Sequence, residues 1–141
     1  MTTKPPSKRF PRVGVGGLIV QGETVLLQLR AKPPEVDYWS NPGGKVEWGE
    51  TLEDALRREV KEELDLDVAI VRLLCITDHI VPADDSHWVT PAFQLAIIHG
   101  TPRNMEPTST KEVRWFSLNQ LPENLTLPTR RALDAYFTCG N

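Results

Sequence analysis

Three glutamates, Glu59, Glu62 and Glu63, stand at i, i+3 and i+4 in the segment Thr51 to Leu64, TLEDALRREVKEEL. At about 100° per residue on a helix, Leu52, Ala55 and Leu56 define the stripe expected to face a core. One heptad beyond Leu52 and Leu56 come Glu59 and Glu63, with Glu62 at the stripe's edge. Val60 and Leu64 take the other shoulder, and Asp54, Arg57, Arg58 and Lys61 take the back. Like charges at this spacing oppose the helix by about 0.2–0.5 kcal/mol per exposed pair, and partial burial raises the penalty. A hard divalent cation relieves it, since Mg²⁺ takes oxygen ligands and keeps waters and substrate phosphates in its remaining positions. The alternative is a solvated charged helix whose core side is the Val60/Leu64 shoulder. Upstream lie Pro42-Gly43-Gly44, a turn that lets backbone approach a ligand closely, and two more carboxylates, Glu47 and Glu50.

The elements that must position these groups follow from pattern. Val13 to Val20 and Thr24 to Arg30 read as strands joined at Gln21-Gly22-Glu23. Ala31 to Val36 contains consecutive prolines and reads as a loop. Tyr38 to Val46 is a short extended piece broken by the Pro-Gly-Gly corner. Thr51 and Asp54 suit a cap for the helix. Val68 to Thr77 reads as a strand, Asp78 to Ser86 as a polar loop, Trp88 to His99 as a strand, and Gly100 to Lys111 as a loop. Glu112 to Ser117 closes the strand set, and a helix from Pro128 to Phe137 starts on proline. Strands on both sides of a central helix, with a second helix at the end, imply a mixed sheet covered on both faces.

At 141 residues the chain fits one domain, with residues 1–11 expected as a flexible tail and 12–141 as the folded unit. A formal net charge of −3 argues against a protein that grips a nucleic-acid polymer, though not against a nucleotide bound through a cation. Cys75 and Cys139 form no thiolate metal motif or disulfide framework, and Cys75 is expected to be buried. The chain shows no run of membrane-spanning length and no leader pattern, so the expectation is a cytoplasmic protein.

Gly44, five residues, Glu50, seven residues and then Arg58-Glu59-Val60-Lys61-Glu62-Glu63-Leu64-Asp65-Leu66 resemble the Nudix box. One fixed position departs, Asp65 standing where the family has glycine. The resemblance extends from about Arg12 to Phe137, including NPGGKVEWGE and RWFSLNQLP, and is to the small MutT-like branch of the Nudix hydrolases. It implies an α/β fold, the α/β/α Nudix sandwich with a mixed central β-sheet. It implies Mg²⁺ (or Mn²⁺) held by Glu59, Glu62, Glu63 and the Gly43 carbonyl, with Arg58 orienting a glutamate and Glu50 supporting the loop or an outer-shell water. The reaction implied is hydrolysis of a phosphoanhydride, foremost a nucleoside triphosphate split into monophosphate and pyrophosphate. Nucleotide sugars and non-nucleotide diphosphates are the other substrates, and a catalytically silent nucleotide-binding module is the contrasting class.

Glu59 is the favoured general base, with Glu62 or a loop acid, Glu106 or Glu112, as rivals. Arg30 and Lys45 are candidates for phosphate. Trp39, Asn41 and Phe93, with Tyr38, Trp88, His79 and His87, are candidates for a base, Asn41 being either a base-contacting amide or a turn former. Trp115 and Phe116 are expected in the core. Relatives of this kind are often dimers, so a homodimer is an implied partner beside the small-molecule diphosphate. Asp65 is expected to affect how the helix ends rather than the metal ligands.

Overall fold

The apolar run of the first strand is continuous because that strand is covered on both faces. In the computed structural model, which describes residues 10–139, this strand is β1, Arg12–Gln21. The tail expected over residues 1–11 lies outside the described residues except for Phe10 and Pro11. There follow β2 (Thr24–Arg30), β3 (Trp39–Ser40), β4 (Gly43–Lys45), α1 (Leu52–Leu64), β5 (Asp67–Val81), β6 (Ser86–His99), β7 (Thr110–Ser117) and α2 (Leu127–Cys139). The sheet runs β3-β2-β1-β6-β5, with β4 paired to β1 and β7 to β2. The β1–β6 pairing is parallel and the others are antiparallel, so the sheet is mixed as expected.

Alternate side chains of the same strands feed two cores. Val15, Ile19 and Leu26 join Ala55, Leu56, Val60 and Leu64 of α1 on one face. Leu18, Val25 and Leu27 join Ala132 and Leu133 of α2 on the other. A two-residue side-chain period and a helix on each face give the α/β/α sandwich. Each fully buried Leu or Val contributes roughly 1.5–3 kcal/mol, so the strands between the helices carry most of the stability.

Several expected boundaries move. The loop expected over Asp78 to Ser86 is largely strand: β5 continues to Val81, β6 begins at Ser86, and His79 pairs with Trp88 across the hairpin. The polar residues misled because the alternation continues through them, Thr77 and His79 being buried while Ile76, Asp78 and Ile80 are exposed. A one-turn 3₁₀ segment over Pro82–Asp84 makes the reversal. The last strand starts at Thr110 rather than Glu112, and α2 runs one residue earlier and two later than expected. Cys75 is half-buried rather than buried, lying at the margin of the α2-side core. Among the described residues no helix is long and apolar enough to cross a membrane.

Thr51 caps α1, its hydroxyl accepting from the Asp54 amide at 3.1 Å. Asp65 ends the helix in the left-handed conformation, φ 60° and ψ 40°, where its amide donates to the Lys61 carbonyl. Asp thus performs the cap that glycine performs without steric strain, and its carboxylate meets Lys61 at 3.6 Å and Arg103 at 3.5 Å. Exposed pairs of this kind are worth about 0–1 kcal/mol, no more than the strain relieved by glycine. Asp65→Gly is therefore expected to raise the melting temperature or leave it unchanged; a clear fall in a thermal melt would show that the ion pairs outweigh the strain.

Candidate active site

Helix α1 sets the site by where its stripe turns. Ala55 and Leu56 of the expected stripe are buried, and Val60 and Leu64 of the other shoulder are buried with them, so the core side spans both. Glu59 and Glu63 flank that stripe and face the glycine turn. The turn is held against β1 by the pairs Val15↔Gly44 and Gly16↔Gly43 and by the Gly17 amide, which donates to the Pro42 carbonyl at 2.9 Å. The Gly43 amide donates to Glu63 Oε1 at 3.3 Å. A Cβ on Gly44 would overlap the Glu59 carboxyl group, and one on Gly43 would strike the β1 backbone. Both glycines are required by close approach.

Arg58, placed on the back of the helix by the heptad reading, bends toward the site. It donates to Glu50 through Nε (2.7 Å) and Nη2 (2.9 Å), to Glu59 at 3.1 Å and to Glu62 at 3.4 Å. Its fork also reaches the Lys45 carbonyl. The Arg58 bonds, helped by the Glu47 amide, pull the Glu50 carboxyl down to about 2, and Glu50 in turn raises the Arg58 guanidinium. Planar two-point pairing of this kind fixes orientation as well as charge.

Glu63 has no such cation. Burial pushes its carboxyl well above the ordinary range; the Glu59 charge and a shared side-chain hydrogen bond push the same way, against the Gly43 amide. Burial also raises Glu59, opposed by its bond to Glu63 and by Arg58. Two carboxyl groups forced together in a dry setting cannot both carry charge without a cation. Glu62 does not join them. It is half-exposed on the flank and tied to Arg58, and among the described residues no three His, Cys, Asp or Glu side chains converge on one point. The donor set at the turn is thus two carboxylates and main-chain groups.

A cleft of about 400 Å³ opens beside the turn. Of the residues expected to meet substrate, Arg30, Asn41 and Lys45 line it, as do His79 and Trp88. Burial lowers the Arg30 guanidinium while the charges of Glu35 and Glu63 oppose the shift. Trp39 and Phe93 do not line the cleft. Trp39 is buried in the α2-side core, edge-on to Phe116 at 4.7 Å, and Phe93 is buried beneath α1. Of the two loop acids, Glu106 sits in the loop whose Met105 amide caps the Glu63 carbonyl, and its charge acts on Glu63. Glu112 instead pairs with Arg114 at 2.7 Å. Sequence reasoning missed Glu35, which lines the cleft from the proline loop; an acid after two prolines carries no signal that separates it from an ordinary loop residue.

A family model for the NUDIX domain matches residues 10–136. The chain is 34% identical over 113 residues to an ADP-ribose pyrophosphatase of Methanocaldococcus jannaschii, covering 80% of this chain and 66% of that protein. Over 59 residues it is 52% identical to a putative 8-oxo-dGTP diphosphatase 2 of Mycobacterium tuberculosis, covering 41% of this chain and 42% of the relative. It therefore spans about two thirds or less of these relatives' lengths. The crystal structure of a MutT NUDIX hydrolase from Burkholderia pseudomallei superposes with a TM-score of 0.86 at 43% identity, covering 89% of this chain and 98% of that one.

Because Glu63 is raised in the folded chain, protonation favours folding, and stability falls as pH rises from the ordinary carboxylate range through the Glu63 value. The Glu50 contribution has the opposite sign but is lost only near its value of about 2. Metal-free protein is expected to melt at a lower temperature at about pH 8 than at about pH 5.5. Glu63→Gln should flatten that trend and add about 1–3 kcal/mol at the higher pH, the penalty of a buried unsatisfied group. Parallel pH profiles for the two proteins would contradict this.

Proposed function

The chain belongs to the NUDIX family, in its small MutT-like branch, and from that premise we propose that it is a Mg²⁺-dependent pyrophosphohydrolase, with Mn²⁺ as a substitute. The substrate proposed is a nucleoside triphosphate, split into monophosphate and pyrophosphate. The observation that carries the reading is the partly buried Glu59–Glu63 pair, set against a backbone turn with no room for a Cβ beside a cleft. These residues fit a hard cation: their donors are oxygens, no cationic side chain among the described residues is hydrogen-bonded to Glu63, and Mg²⁺ needs few protein ligands when phosphate and water supply the rest. Glu59 and Glu63 would hold it, joined by the Gly43 carbonyl and, after a change of rotamer, by Glu62.

When bound, the cation neutralises phosphate charge and lowers the pKa of water. The chain's own groups supply positioning and proton transfer. Glu59, steadied by Arg58, takes the proton as a water oxygen bonds to phosphorus and the anhydride P–O bond breaks, the electron pair leaving with pyrophosphate. Glu106, beside Glu63, is the rival base. Lys45 and Arg30 line the cleft as the cations for phosphate oxygens. The nucleotide names of the relatives support a nucleotide substrate. The ADP-ribose pyrophosphatase among them favours a second reading, hydrolysis of a nucleoside diphosphate linked to a sugar.

The test is a panel of nucleoside triphosphates, ADP-ribose, nucleotide sugars and a non-nucleotide diphosphate, with Mg²⁺ and with chelator, followed by phosphate and pyrophosphate release. Wild type should act only with metal, and Glu59→Gln and Glu63→Gln should each lower kcat by about 100-fold or more. Gly44→Ala should do likewise while melting as a folded protein, because its methyl group displaces the Glu59 carboxyl. Absence of turnover on every compound, or full activity in Glu63→Gln, would overturn the reading.

A further inference from the structure

The corner that carries the glycine turn is tied to α2 as well as to β1. Residues 124–126, the lead-in to α2, run beside β3. There the Trp39 amide donates to the Asn124 carbonyl at 2.7 Å, and the Thr126 amide donates to the Trp39 carbonyl at 3.0 Å. Just past β3, Thr129 takes hold of Asn41. The Thr129 hydroxyl accepts from the Asn41 backbone amide at 2.9 Å and donates to Oδ1 at 2.5 Å. Its one proton being used, Thr126 is the donor in the 2.8 Å contact between the two hydroxyls. Both threonines are buried. A threonine inside a helix ordinarily returns its hydroxyl to a carbonyl one turn back. Thr129 instead sends its hydroxyl bonds away from its own helix backbone, to Asn41 and Thr126.

Only Pro42 separates Asn41 from Gly43. The proline ring fixes φ, and the Pro42 carbonyl accepts from the Gly17 amide at 2.9 Å. Gly43 pairs with Gly16 and donates to Glu63 Oε1 at 3.3 Å. The Asn41 side chain also lies against β1, where a Cβ on Gly16 would come within 2.6 Å of Nδ2. A shift of the Asn41 main chain thus meets no loose joint that could absorb it, and it reaches Gly43. The bond from Gly43 to Glu63 is already long, so it is the contact in this series most easily lost.

We propose that Thr129 is a positioning residue for the Glu59–Glu63 site. By holding Asn41 at two points it fixes the corner, and through the corner it holds the Gly43 main chain against Glu63. A helix on the opposite face of the sheet from α1 thereby sets the geometry between the turn and the carboxylates. Displacing reacting groups by about 1 Å is enough to slow a reaction steeply. Were Thr129 present only to fill the α2-side core, losses of activity on its replacement would track losses of stability. The inference rests on the reading of this turn as the reacting site, and deepens it.

The experiment compares three variants. Thr129→Val removes both bonds to Asn41, Thr129→Ser keeps the hydroxyl, and Leu133→Ala, a core truncation in the same helix, controls for lost stability. Steady-state kinetics with Mg²⁺ are measured on the nucleotide that wild type turns over best. Hydrogen exchange at the Gly43 amide is followed by NMR in the metal-free proteins, with thermal melts as the check on folding. Thr129→Val should lower kcat about 10- to 100-fold with KM nearly unchanged, and should speed Gly43 exchange beyond the change seen in Leu133→Ala. Thr129→Ser should retain the wild-type kcat and exchange. Gly43 exchange in Thr129→Val no faster than in Leu133→Ala, or a kcat loss no greater than that control shows, would overturn the inference. If wild type hydrolyses no nucleotide, the hydrolase reading fails and the exchange comparison alone decides the positioning role. If Thr129→Val fails to fold, Asn41→Ala, which removes Oδ1, is judged by the same exchange comparison.

Discussion

Two carboxyl groups meet where the backbone of β4 leaves no space for a side chain, and the rest of the structure is arranged around that contact. The pair exists because α1 buries Ala55, Leu56, Val60 and Leu64, which turns Glu59 and Glu63 toward the glycine turn instead of solvent. The turn is seated because β4 pairs with β1, the strand shared by both cores. The end of α1 is closed by amides of the following loop, Arg103 to the Leu64 carbonyl and Met105 to the Glu63 carbonyl, which draws Glu106 toward the pair. Removing a cation from such an arrangement leaves like charges in a dry place, and the raised carboxyl values express that tension.

Rigidity outside the helices and strands comes from hydrogen bonds that replace ladders. The segment between β2 and β3 has no regular structure, yet Arg30 binds it through side chain and backbone and Asn124 binds it from the far side. Likewise the Glu47–Glu50 turn is closed by the Glu50 carboxylate, which accepts from the Glu47 amide at 2.9 Å and holds Arg58. The site is therefore preorganised on both sides of the cleft, the condition under which fixed dipoles and charges act without rearrangement.

The helix and its cap were legible from residue types, since Thr51 with Asp54 and the apolar spacing need no tertiary information. So was the placement of two glutamates near the glycine turn, because a heptad preserves a face. The expected face was half right: Ala55 and Leu56 pack as the stripe implies, but the core continues onto Val60 and Leu64, and the glutamates flank it. The strand ends at Val81 and Ser86 lie beyond the expected ones because a buried histidine, His79, in an alternating strand reads as a polar loop residue. The cleft was the least legible part. Glu35, Asn41 and Thr129 come from distant positions, and what joins them is the pairing of β3 with β2 and the docking of α2.

The account turns on the Glu59–Glu63 pair being held ready for a divalent cation. Calorimetric titration of the metal-free protein with Mn²⁺ or Mg²⁺ near pH 6.5, in two buffers of different ionisation enthalpy, counts the protons released on binding. The prediction is release of up to about one proton per cation from wild type, and weakened binding with that release abolished in Glu63→Gln. Binding of equal strength in both proteins, or binding without proton release in wild type, would contradict it.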